Sequence, residues 1–128
     1  MKKLSIQTRE RTEFMDITAQ VQAAVAELGV TAGVVTVFVP HTTAGVTINE
    51  NADPDVVADL KTVLENLAPW KGNYRHGEGN SAAHVKASLM GSSVRVFVES
   101  GRLRLGTWQA IYFCEFDGPR SRQAWIGA

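Results

Sequence analysis

Residues 3–9, KLSIQTR, alternate apolar and polar positions, the period of a strand with one buried face. A second, short strand is expected at 13–16. Val21, Ala24, Val25 and Leu28 then recur at helical spacing, behind Asp16 or Thr18 as a cap and ahead of Gly29 as a stop. Residues 32–39, AGVVTVFV, are apolar on both faces, which predicts a central strand that Pro40 ends. Thr43 to Glu50 reads as the next strand, with Val46 and Ile48 on one face and Thr43, Thr47 and Asn49 on the other. A polar face on an interior strand suggests that it looks into a pocket.

Asp53-Pro54-Asp55 has the chemistry of a helix start: a capping carboxylate, proline at the first helical position and another acid in the first turn. Val56, Val57, Leu60, Val63, Leu64 and Leu67 give this helix a continuous apolar stripe, and Pro69 ends it. A shorter helix is expected from Asn80 or Ser81 to Met90, stopped by Gly91. The remainder is β-patterned at 93–99, 105–116 and 120–126, with turns at Gly101 and Asp117-Gly118-Pro119. This order predicts an α+β fold, with antiparallel sheet at both ends of the chain and helices inserted.

A length of 128 residues fits one domain spanning 1–128, able to bury roughly two-thirds of its unfolded surface. Thirteen basic and thirteen acidic residues cancel, which argues against a general nucleic-acid binder and against electrostatic attachment to a membrane. No apolar run reaches membrane-spanning length, and MKKLSIQTRE is too polar for a signal peptide, so a cytoplasmic location is expected. Cys114 stands alone in an apolar run, where a small buried side chain fits better than a nucleophile.

All three histidines fall between positions 41 and 84, and no other part of the sequence gathers so many groups able to bind a metal or move a proton. Three imidazoles around one cation with an open position would make a catalytic zinc site, although spacings of 35 and 8 residues require folding to bring them together. The run GEGNSAAH combines two glycines, the donors Asn80 and Ser81, and a helix start, with Arg75 nearby. It can cradle a phosphate, or be a surface loop with an ordinary cap. Glu50 and Glu78 are free to act as acid, base or ligand, whereas Asp53 is better explained as a cap. In GTWQ, Thr107 and Gln109 flank Trp108 and could read a substrate; a core Trp108 with Gln109 on backbone is the preferred reading.

The blocks HTTAGVTINENADPD, NYRHGEGNSAAHVKASLMGSS and GRLRLGTWQAIYFCEFDGPR, in this order and spacing, resemble those of the YjbQ-like family. The resemblance implies a two-sheet β-sandwich of about seven mostly antiparallel strands with two to three inserted helices, assembled as a homotrimer. It implies a secondary thiamine-phosphate synthase activity on a small phosphorylated metabolite, assisted by a divalent ion, zinc or magnesium. Carried onto this chain, the implied pocket takes in His41, Thr43, Asn49, Glu50, Asp53, His76, Glu78, Gly79 and His84, with Lys86 nearby and Asn80 and Ser81 in the phosphate loop. His41, Glu50, His76 and His84 are the candidates for catalysis, and the three histidines for metal ligation. Two other classes stay open: a metal-dependent hydrolase, and a non-catalytic protein that senses a phosphorylated metabolite.

Overall fold

The computed structural model describes residues 1–128. Eight strands form two antiparallel sheets, and three helices complete the chain. One sheet contains β1 (Lys2–Gln7), β8 (Ser121–Gly127), β3 (Ala32–Phe38), β5 (Ser93–Glu99) and β6 (Arg102–Leu103), in that spatial order. The other contains β2 (Glu13–Asp16), β7 (Gln109–Glu115) and β4 (Ala44–Glu50). The two-residue β6 has too short an alternation to stand out in the sequence.

Alternation along the strands builds the core between the sheets. Val35, Val37 and Val39 from β3 and its end meet Val46 from β4 and Ile111 and Phe113 from β7. Helix α1 (Thr18–Leu28) adds Val21, Ala24 and Val25 to this core. The structure finds neither Asp16 nor Thr18 at its cap: Ile17 is there, with no side-chain bond. Asp16 Oδ1 instead accepts from the Thr18 amide at 2.9 Å, and Thr18 Oγ1 accepts from the Ile111 amide at 2.9 Å, stitching the helix start to β7. β3 is the central strand as expected, but its outer face is open, with Phe38 exposed.

The second face of the smaller sheet carries Ala110, Tyr112 and Cys114, and packs against α2 (Pro54–Leu67) and α3 (Ser81–Met90). Here β4 is an edge strand, not an interior one, and it runs beneath α3. A Cβ on Gly45 would lie 2.7 Å from the Gly91 carbonyl oxygen and 3.1 Å from Met90 Cβ, so the close approach of helix to strand needs glycine. The α2 stripe is only partly used: Leu64 is buried, while Val63 and Leu67 remain exposed.

Two strand ends and one helix start meet at a corner of the sandwich. The segment 39–43 carries the chain from β3 in the larger sheet to β4 in the smaller one, and 116–120 returns it from β7 to β8. Because α3 lies on β4, its position follows from Gly45. Gly45→Ala is expected to cost about 1–3 kcal/mol through overpacking against backbone, read by urea unfolding. An unchanged midpoint would show that α3 shifts freely.

Candidate functional site

At this corner lies an open cavity of about 440 Å³, and none of its eleven lining residues is hydrophobic. His41, His76 and His84 all border it. His41 comes from the loop between the sheets, because Pro40 ends the β3 ladder just before it. Gly79, in a left-handed conformation (φ 75°), closes a turn in which its amide donates to the His76 carbonyl at 3.2 Å. That turn folds His76 back over the start of α3, where His84 stands one turn in. The two rings meet edge to face, with centroids 5.4 Å apart.

The floor is a buried ion pair. Glu115, fully buried at the end of β7, accepts from Arg122 Nε at 2.8 Å, from Arg122 Nη2, and from Thr8 Oγ1 at 2.8 Å. The amides of Phe116 and Asp117 also donate to it, each at 3.0 Å. Arg122 Nη2 further donates to Thr43 Oγ1 at 2.7 Å, which leaves Nη1 as the nitrogen for the cavity. Burial alone would raise the Glu115 pKa, but the bonds from Arg122, the Asp117 amide and Thr8 outweigh it and hold the carboxyl below its usual 4.5. Beside this pair, Asp117 takes Arg120 at 2.9 Å and the Asn80 side-chain amide at 2.8 Å.

His41 Nε2 accepts the Gln123 amide proton at 2.9 Å, so in the neutral ring the proton sits on Nδ1. Partial burial, and then the Arg122 charge, push its pKa below the ordinary value of 6.5. His41 is therefore a neutral, oriented group near neutral pH. His76 Nε2 lies 3.8 Å from Glu78 Oε1.

The three imidazoles share a cavity without sharing a coordination sphere. His41 Nε2 is already engaged, and nowhere does the chain gather three His, Cys, Asp or Glu side chains able to hold an ion. The side chains as arranged do not fit a three-histidine zinc site, which needs three nitrogens near 2 Å from one point.

A family description, UPF0047 protein YjbQ-like, matches residues 2–128 of the chain. The chain belongs to the UPF0047 family of YjbQ-like proteins. It is 54% identical to the UPF0047 protein YugU of Bacillus subtilis, over 98% of this chain and 96% of that one. It is 48% identical to the UPF0047 protein MJ1081 of Methanocaldococcus jannaschii, over 97% and 90% of the two chains. A crystal structure of a YjbQ/UPF0047 protein from Clostridium acetobutylicum superposes with a TM-score of 0.96 at 54% identity, covering 99% of this chain and 98% of that one. A conserved hypothetical protein from Thermus thermophilus gives 0.92 at 44% identity, covering 99% and 98%.

Not all the residues that the UPF0047 resemblance suggested meet at this cavity. Thr43, Glu78 and Asn80 line it with the histidines. Gly79 shapes the loop, and Ser81 begins α3 without itself lining the cavity. Glu50 sits at the far end of β4, roughly 20 Å of strand from Thr43, where its carbonyl accepts from the Tyr112 hydroxyl. Asn49 is beside it, with Oδ1 accepting from the Glu50 amide at 2.7 Å, and Asp53 Oδ1 caps α2 through the Asp55 amide at 2.9 Å. Lys86 is on another face of α3, buried and paired with Glu65 at 3.1 Å. Trp108 is largely exposed rather than core, although Gln109 Oε1 does accept from the Gly106 amide at 2.8 Å. Cys114 is buried as expected, which pushes its thiol pKa up.

Thr42, Asp117, Arg120 and Arg122 were missed in the sequence. One signal was available. Arg122 shares the inward phase of β8 with Ala124 and Ile126, and Glu115 shares that of β7 with Ile111 and Phe113. Opposite charges in two apolar phases imply a buried pair. Glu115→Gln should destabilise the chain by about 3–5 kcal/mol at about pH 7, since it leaves Arg122 buried without its partner. The folded carboxyl has the lower pKa, so its stabilisation is complete above 4.5 and fades as pH falls towards the lowered value. Urea unfolding should therefore show the wild-type–variant gap narrowing in acid; a constant gap would contradict this account.

Proposed function

We propose that this chain is a small-molecule enzyme that binds a phosphorylated metabolite in the corner cavity. The thiamine-phosphate synthase activity implied by the family resemblance is its candidate reaction. The observation that carries the reading is a cavity with no hydrophobic lining residue, where two guanidinium groups, three imidazoles and an uncapped helix start converge. Such donors suit an anion and the charge that grows on a departing phosphate or pyrophosphate. His76, backed by Glu78, is placed to hold or deliver a proton, with His84 against its ring. His41, neutral and held by the Gln123 amide, has a fixed Nδ1–H with which to orient a ligand oxygen.

Calorimetric titration of phosphate, pyrophosphate and thiamine monophosphate tests this. His84→Ala is expected to weaken phosphate about tenfold, the worth of one charge-assisted hydrogen bond of about 1.5 kcal/mol. Binding abolished by a chelator would favour a cation that rearranges the imidazoles around itself, as a metal-dependent hydrolase would need. Saturable binding without turnover would make the chain a metabolite-binding module, and no binding of any of the three would end the phosphate reading.

The working unit we propose is the homotrimer that the resemblance implies. What supports an oligomer is uncovered apolar surface: Phe97 is 70% exposed, Leu67 67% and Trp108 61%. Light scattering at micromolar concentration should return about three times the chain mass of 13.9 kDa. The monomer mass would refute it.

A further inference from the structure

Asn80 is the residue that the anion reading leaves unexplained. It is only 6% exposed and lines the cavity, yet its Oδ1 makes no hydrogen bond; no other buried side-chain polar atom in the chain lacks a partner. Exchanging its amide nitrogen and oxygen does not cure this, because Nδ2 donates to Asp117 Oδ2 at 2.8 Å and the exchange would set oxygen against a carboxylate. Nor is the side chain spent on capping α3, which begins with no side-chain cap. What remains is a fixed, buried acceptor beside the donors Arg120 and Arg122, in a cavity whose other acceptors are engaged or exposed: Asp117 Oδ2 takes Arg120 and the Asn80 amide, His41 Nε2 takes the Gln123 amide, and Glu78 lies on the open rim beside His76.

We infer that this cavity selects an oxyanion that carries its own proton, with Asn80 Oδ1 accepting the ligand's P–O–H while the guanidinium groups and imidazoles hold its other oxygens. The inference rests on the phosphate reading above and deepens it. A cavity that measured charge alone would take sulfate at least as well as phosphate, since both are small tetrahedral anions. Sulfate near neutral pH has no proton to donate, so it would leave Asn80 Oδ1 without a partner, as it is in the free chain, and would recover none of the free energy that an unpaired buried acceptor costs. Hydrogenphosphate supplies the missing donor. Asn80 is thereby a specificity-determining residue for a phosphate that keeps a proton: inorganic phosphate does so at neutral pH, and a phosphate monoester, with a second pKa of about 6, does so in its monoanionic form.

The test is calorimetric titration of the full chain with inorganic phosphate and with sulfate at matched ionic strength. Phosphate is expected to bind about tenfold tighter or more. Arsenate, which keeps a proton, should follow phosphate, and selenate, which does not, should follow sulfate; this series needs no variant. In Asn80→Ala the ratio of phosphate to sulfate affinity should collapse to about twofold, with sulfate binding no worse than before. Equal binding of phosphate and sulfate by the unaltered chain would overturn the inference and leave the phosphate reading standing. So would an Asn80→Ala protein that folds and retains the full preference. Failure of all four anions to bind would defeat the phosphate reading, and this inference with it.

Discussion

Glu115 and Arg122 meet at the corner where the chain passes from one sheet to the other, and much of the site depends on that pair. Glu115 ends β7 in the smaller sheet, and Arg122 lies near the start of β8 in the larger one. Thr8, just beyond β1, and Thr43, just before β4, complete the network, so a single cluster of charge and hydroxyl groups joins four strands. In bare stability such a pair gains little over well-packed hydrocarbon, but losing one partner is expensive because the other stays buried. Its contribution is positional. It brings a guanidinium to the cavity without freedom to swing, and the Arg122 charge, partly offset by Glu115, adds to burial in keeping His41 neutral.

The cavity is built outward from that floor. Asp117, one residue past the Glu115–Phe116 run, holds both Arg120 and the Asn80 amide, so the β7–β8 turn and the start of α3 are tied together. Gly45 lets α3 lie close on β4, and the Gly79 turn returns His76 to His84. The imidazoles are thus presented on loops and a helix start, above strands whose register is set by paired backbone. Paired strands hold the floor, and an exposed segment, His76 to Gly79, forms the rim. That division suits a site that must admit a ligand yet hold its charged end in one orientation.

The sequence alone determined the elements wherever one residue type forces a local result. Pro40 ending β3, Asp53-Pro54 starting α2, Pro69 after it, and the valine run of β3 were legible because φ restriction, amide satisfaction and alternation act over a few residues. The clustering of His41, His76 and His84 was legible too, as a concentration of polar chemistry in one stretch. Tertiary structure alone decided which side chains share a cavity. Glu50 and His41 belong to one motif in the sequence, yet a strand of extended backbone carries them to opposite ends of the sandwich. Lys86 is two residues from His84, but the helical turn points it to Glu65 instead. Arg120 and Arg122, some eighty residues from His41, arrive beside it because β8 pairs with β3 and the buried Glu115 fixes the guanidinium. Local patterns fix dihedral angles; long-range pairing and the cost of an unpaired buried charge choose the neighbours.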